Sequence, residues 1–339
     1  MNEKSTRNIA LDCAKGLAII LVCLGHIMQA TTSDYYDTKI YNLIYALQMP
    51  VFFLISGILS SSKIETSEQL RKKVCKRACV YLIPFISRIV IFNPIFWKTQ
   101  STIWEEICRI LISVDSGLWF LWVLFFLCVN CDVAVFFTKS IKNRNNRIIL
   151  ESGIYFALLI PWIVELFVFK VNYLGAKLII YYSVFYFLGR VSKHLSNTRL
   201  IKGKRIREVA VAILACIGMY IVSHYRLFID VDSIEIIILR VLSGVCLSYV
   251  FLNFTNIYAN QLSKLGFSTL GRYTLEIYYV HGLAYSLLTS EDLPKVYSIQ
   301  GISTIFASIV ITAVITYVVI IFIKSNKMMD FIFFGKKGL

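Results

Sequence analysis

Polar positions are sparse along this chain and fall between long apolar runs. A helix that spans a bilayer takes about 20 mostly apolar residues. Ten stretches qualify: 11–30, 40–59, 78–97, 118–137, 148–169, 173–191, 209–225, 236–257, 270–288 and 302–323. The run 209–225 is the shortest of them. No internal repeat, low-complexity tract or extra soluble domain interrupts the series. The pattern therefore predicts an all-α, polytopic membrane protein of ten transmembrane helices, with one membrane domain over 1–339.

Composition agrees with that pattern. The chain is 58% hydrophobic and 16% charged, with a mean hydropathy of +0.69. A soluble domain rarely approaches such values. A formal net charge of +15 raises the question of nucleic acid. Here the basic residues bunch between apolar runs, as membrane topology requires, so no nucleic-acid partner is expected. Lys63, Arg71, Lys72, Lys73, Lys76, Arg77, Lys139, Lys142, Arg144, Arg147 and Lys193 fall on one set of alternating connections. The other set carries few cations and several acids, among them Asp34, Asp37, Glu105 and Glu235. By the positive-inside rule both termini are cytoplasmic, a parity that ten spans satisfy. The first run is too long for a signal-peptide core and no small-residue cleavage site follows it, so it is expected to be retained. The expected setting is multi-pass in the cell membrane, with membrane lipids as partners.

Nine cysteines are present, most of them in or beside apolar runs, and they form no disulfide framework. Cys128-Val-Asn-Cys131 has no second pair and reads as two small buried hydrophobes. No residue set is assigned to a metal.

The informative positions are ionisable residues inside the runs, since these are costly in hydrocarbon and default to function. The first run, LDCAKGLAIILVCLGH, holds Asp12, Lys15 and His26. At 100° per residue, Lys15 and His26 differ by only about 20° in direction, and Asp12 lies near the same face. The three make a column from the cytoplasmic surface into the outer half of the bilayer. Interfacial anchoring is the plainer account of Asp12 and Lys15. The run LGRYTLEIYYVHG holds Glu276 and His281. Two histidines at comparable depth can share a cavity, and a neutral imidazole suits general-base work. A helical ion pair of Arg272 with Glu276 is the local alternative for the acid. The segment LQMPVFFLISGIL combines Pro50 with Ser56-Gly57, which permits close approach of a helix or a ligand. RKKVCKRACVYLIP places five basic residues among the seven from Arg71 to Arg77. Positive-inside bias accounts for them, and a phosphate site is the sharper reading. Arg88 lies deeper, and Trp119 to Trp122 fit an interfacial aromatic belt.

These blocks, in this order, resemble the integral-membrane acyltransferase 3 family, and the opening is most similar to its fucose 4-O-acetylase-like branch. The resemblance covers nearly the whole chain. It implies an enzyme with ten helices that moves an acyl group, usually acetyl from cytoplasmic acetyl-CoA. The implied acceptor is a hydroxyl of a surface polysaccharide, glycolipid or lipid-linked sugar. Members carry an arginine eleven residues before the first-helix histidine, where this chain has Lys15, a cation without the bidentate fork. The branch often has a histidine before Met-Pro in the second run, where this chain has Gln48, which puts more weight on His26. Some relatives carry an extracytoplasmic hydrolase-like domain that is not expected here.

The expected chemistry follows. Arg71, Lys72, Lys73 and Arg77, with Lys15, hold the CoA phosphates and Arg88 joins the donor-binding set, while His26 takes the proton of the attacking sugar hydroxyl. A transient acetyl-histidine is the variant. His281 and Glu276 join the catalytic group, and Arg88 or Tyr278 faces the developing oxyanion. The alternative from another class is a proton-coupled transporter or flippase, which also uses intramembrane Glu, His and Arg. The absence of an inverted repeat speaks against it.

Overall fold

Asn8 starts the first helix by accepting a hydrogen bond from the Leu11 backbone N–H, which satisfies one of the orphan donors of the first turn. The apolar run then stays helical as α1 (Ile9–Thr31) until Thr32 turns to extended backbone. The computed structural model describes residues 7–61, 63–92, 102–114, 118–195, 204–227, 233–286 and 293–336. The helices that follow are α2 (Lys39–Ile58), α3 (Ser67–Arg77), α4 (Ile83–Ser87), α5 (Ile103–Ile112), α6 (Trp119–Phe137), α7 (Arg144–Ala157), α8 (Ile160–Phe167) and α9 (Ala176–Leu195). They continue as α10 (Lys204–His224), α11 (Ile234–Ile257), α12 (Ala259–Lys264), α13 (Phe267–Leu270), α14 (Thr274–Ser286), α15 (Ile299–Lys324) and α16 (Lys327–Phe334). Among the described residues every regular element is helical.

Among the described residues, eight helical segments are long and apolar enough to cross a membrane, and they fall on eight of the ten predicted runs. The other two runs take a different form. Run 78–97 contains Pro84, which has no N–H to donate to the carbonyl four residues back. The chain there widens into π-helical turns at Ala78–Leu82 and Arg88–Phe92, on either side of α4. Residues 93–97 lie outside the described residues. Run 270–288 is broken at Gly271–Tyr273, so α14 begins only at Thr274, and 287–288 lie outside the described residues. Proline acts again in run 148–169, where Pro161 separates α7 from α8.

The chain divides into two compact units, Met1–Ile55 with Thr198–Ile320, and Ser56–Asn197 with Ile321–Leu339. Each has its own packing logic. In the first unit α1 lies against α11, α12, α13 and α14. Its closest approach is made by two glycines. A Cβ on Gly16 would sit 2.0 Å from the Phe267 carbonyl oxygen, and a Cβ on Gly271 would sit 1.8 Å from that of Asp12. Only hydrogen side chains let the two backbones meet this way. We expect Gly271→Ala to destabilise the protein by about 1–3 kcal/mol, the range for forced overpacking. Thermal unfolding in detergent measures it, and an unchanged midpoint would exclude the contact. A second cluster joins α2, α10 and α11 through Ala46, Ile221, Val222 and Leu247.

In the second unit α6 packs against α3, α7 and α9, and α16 against α4. Gly57 meets the backbone of α9, where a Cβ would lie 2.0 Å from the Tyr186 carbonyl oxygen. The Ser56-Gly57 pair therefore serves helix packing. Trp122 donates from Nε1 to the Leu174 carbonyl at 2.8 Å, and Trp119 stacks on Tyr182 with ring centres 5.1 Å apart. All nine cysteines are free thiols, and Cys128 and Cys131 are buried, as expected of small core hydrophobes.

Candidate active site

α1 delivers the polar column that the sequence predicts. At its N-terminal end the carboxylate of Asp12 takes Lys15 on Oδ1 at 2.8 Å and Arg7 on Oδ2. Asp12 is buried, and two cations more than balance its charge. Lys15 is thus held by a partner on its own helix, one turn away.

Three turns further on stands His26, partly exposed. Its Nδ1 lies 2.8 Å from Oε1 of Gln29, one turn beyond it. The Gln29 amide donates from Nε2 to the Tyr41 hydroxyl at 2.7 Å, in the first turn of α2. On the other flank is His281 from α14, with the two imidazole centres 5.3 Å apart. Histidines separated by 255 positions in sequence therefore lie side by side. His281 is 4% exposed, and its Nδ1 faces the carbonyls of Tyr278 at 2.8 Å and Ile277 at 3.1 Å. Tyr278 stacks on it with centres 5.6 Å apart.

Carbonyl oxygens only accept, so Nδ1 of neutral His281 carries the ring proton and Nε2 the lone pair. Glu276 lies five residues earlier on α14, about 140° round the helix from His281, and is completely buried. The helical pair expected with Arg272 is not formed. Arg272 precedes the start of α14, is exposed, and donates to the Thr269 hydroxyl at 2.9 Å. The break at Gly271 is the reason, because residues outside the helix lose the i,i+4 register.

Gln48 occupies the α2 position where the branch often has histidine. It is 2% exposed, lies beside Gly25, and its Oε1 has no hydrogen-bond partner among the described residues. Leaving a buried acceptor unsatisfied costs about 1–3 kcal/mol, which a hydroxyl donor arriving in the site would recover.

The second unit holds the basic residues. Arg71 and Lys72 are exposed on α3, and Lys72 pairs with Glu68 one turn back at 2.7 Å. Lys73 donates to the Ser61 hydroxyl. Arg77 is differently placed. It gives Nε and Nη2 to the two oxygens of Asp132 at 2.6 and 3.1 Å, and Asp132 is completely buried in α6. Its charge is matched within the fold, so it joins α3 to α6 rather than facing an incoming anion. Arg88 is 7% exposed at the second π-helical turn.

A further buried ion pair lies in this unit. Arg190 on α9 gives Nε to Glu151 on α7 at 2.6 Å and Nη1 to Ser60 Oγ at 3.2 Å and Ser61 O at 2.6 Å. Lys193 reaches the Ser60 carbonyl. Cations thus gather just beyond the C-terminal end of α2, on the side where the helix dipole is negative. Asp132 is the one charged side chain of run 118–137, and Glu151 and Arg190 share their runs with a single other charge each, Glu165 and Lys177; a charge inside an apolar run is the available signal for them. Gln29 carried no such signal, because an uncharged amide near a helix end is unremarkable until its partners are known. No group of three or more metal-ligating side chains forms among the described residues.

With this geometry in place, comparison with known proteins assigns the chain. The profile of an acyltransferase domain matches residues 8–323. The chain belongs to the acyltransferase 3 family. Both histidines, Glu276, Lys15 and the α3 cations fall within the acyltransferase domain. The chain is also similar to the nodulation protein NolL of Mesorhizobium japonicum, with 26% identity over 146 residues, 40% of this chain and 38% of that protein. It is similar to NolL of Sinorhizobium fredii, with 37% identity over 90 residues, 24% of this chain and 23% of that protein. The matches thus span well under half the length of either relative. No solved structure matches the chain.

Proposed function

We propose that this protein is a membrane O-acyltransferase of the cell membrane, moving acetyl from cytoplasmic acetyl-CoA to a hydroxyl of a cell-surface polysaccharide or glycolipid sugar. The observation that carries the reading is the imidazole pair of His26 and His281, 5.3 Å apart, inside an acyltransferase domain. His26 is the member with some exposure, so it is the base. It takes the proton of the acceptor hydroxyl as the oxygen attacks the thioester carbonyl. The tetrahedral intermediate expels the CoA thiolate, which takes up a proton, and the products are the acyl ester and the free thiol. Tyr278 stands beside His281 as a hydroxyl donor for the developing oxyanion, and Gln48 as an acceptor for the incoming hydroxyl.

The reading fits the donor in one respect and shifts it in another. Arg71, Lys72 and Lys73 are cations of the kind that take the phosphates of CoA. Arg77 is assigned instead to holding Asp132.

Purified protein in detergent, supplied with acetyl-CoA and a fucosylated or lipid-linked glycan, should release CoA and acetylate the glycan. Acetyl-CoA that neither binds nor is consumed, with glycan moving across proteoliposomes unaltered, would replace this reading by the transporter. Within the site, Gln48→Leu is expected to leave thermal stability unchanged or raised, since it removes an unsatisfied buried acceptor. The same change should raise the KM for the glycan and spare that for acetyl-CoA. Equal effects on both KM values would remove Gln48 from acceptor binding.

A further inference from the structure

A neutral imidazole has a single ring proton, and His26 can act as a base at Nε2 only if that proton sits on Nδ1. We infer that Gln29 and Tyr41 are positioning residues that hold the proton there. The inference rests on the reading of His26 as the general base and says what makes it one.

The chain of contacts has a direction. Gln29 turns Oε1 to His26 Nδ1 at 2.8 Å and Nε2 to the Tyr41 hydroxyl at 2.7 Å. An amide oxygen accepts and never donates, so Nδ1 is the donor and the lone pair falls on Nε2. Turning the amide over would set its NH₂ against Nδ1. The ring proton would then move to Nε2 and occupy the atom that must receive the substrate's proton. A phenol can meet either end of an amide, so Tyr41 anchors the outer end in place, and it is the oxygen set against Nδ1 that selects the tautomer.

Tyr41 is well built for that task. It is 4% exposed, and its ring is packed between Tyr45 at 4.2 Å and Tyr35 at 5.0 Å between centres. Its backbone N–H is bonded to the Thr38 hydroxyl, which fixes the first turn of α2. His281 needs no such helper, because backbone carbonyls of its own helix already face its Nδ1. The arrangement also serves the step itself. Once Nε2 takes the hydroxyl proton, the imidazolium still donates Nδ1–H to Gln29 Oε1, an acceptor in place to stabilise the cation.

The test reads the tautomer directly and the kinetics separately. The chain has 4 histidines, so a ¹⁵N-histidine spectrum of the intact protein in detergent is sparse, and His26→Ala assigns the His26 signals. The expected spectrum has a pyrrole-type Nδ1 and a pyridine-type Nε2. Gln29→Glu, which keeps an acceptor against Nδ1, should preserve it. Gln29→Met and Tyr41→Phe should mix the tautomers. Gln29→Met should lower kcat by about 10- to 100-fold, part of the roughly 10²–10⁴-fold that a general base supplies, with KM for acetyl-CoA unchanged. Gln29→Glu should restore most of the rate. In a His26→Ala background Gln29→Met should cause no further loss, because the two act as one unit.

A proton found on Nε2 in the wild-type protein overturns the inference. So does a wild-type kcat in Gln29→Met beside an inactive His26→Ala. Full activity in His26→Ala instead overturns the base reading, and the positioning role falls with it.

Discussion

Replacing His26 with alanine is expected to reduce acyl transfer by about 10²–10⁴-fold, the usual contribution of a positioned general base, while the protein stays folded. The kinetic part follows from the site. His26 is the more exposed of two imidazoles that stand 5.3 Å apart. The stability part follows from its surroundings. One of its polar contacts is with Gln29 at the helix surface, and the core of the first unit is made by neighbours such as Ile19, Val22, Ile27 and Met28. His281→Ala should divide the other way. That ring is 4% exposed and is stacked on Tyr278, so its loss leaves a cavity, and cavities in packed interiors destabilise. Turnover of acetyl-CoA and thermal unfolding, measured on both variants, separate the two roles. A His26→Ala enzyme with the wild-type rate would take His26 out of the chemistry.

The second large effect is structural. Arg190→Ala should destabilise the protein by about 3–5 kcal/mol, the range for removing one member of a buried ion pair. Arg190 and Glu151 are 4% and 5% exposed. Without the guanidinium, Glu151 keeps a charge in a water-poor interior, and the carbonyl of Ser61 and hydroxyl of Ser60 lose their donor. The turn after α2 then keeps the two lysine contacts and the bonds of Ser60 to the Gly57 carbonyl. Arg190→Met combined with Glu151→Leu should recover most of the loss, because a well-packed apolar pair removes the desolvation penalty along with the attraction. The solvent-exposed pair of Lys72 and Glu68 is the control. Lys72→Ala should leave the unfolding midpoint where it is, since exposed ion pairs contribute little. A double variant as unstable as Arg190→Ala would show that the geometry of the pair, and not its charge, holds α7 to α9.

Much of this protein is legible in one dimension because a bilayer imposes a one-dimensional rule. Backbone groups in hydrocarbon must bond within their own segment, so apolar length alone announces a helix. That is why eight of ten apolar runs appear, among the described residues, as helices long and apolar enough to span, at nearly the predicted positions. Helical periodicity is equally local, and it correctly set Asp12, Lys15 and His26 along α1. The cost of ionisable groups in such a setting singled out His26 and His281 before their contact was visible.

What tertiary structure decided is pairing. The Arg71–Arg77 cluster looks uniform as a string of cations. Asp132, 55 residues beyond Arg77, takes that residue out of the set, while Lys72 finds Glu68 one turn back. Run 270–288 reads as one helix, yet Gly271 gives it up to let its backbone meet the carbonyl of Asp12. Gln29 gains a meaning only when Tyr41 and His26 close on its two ends. Local hydropathy and period determine where helices form and which residues are costly in them. Which donor meets which acceptor depends on distances between segments remote in sequence, and those exist only once the helices have packed.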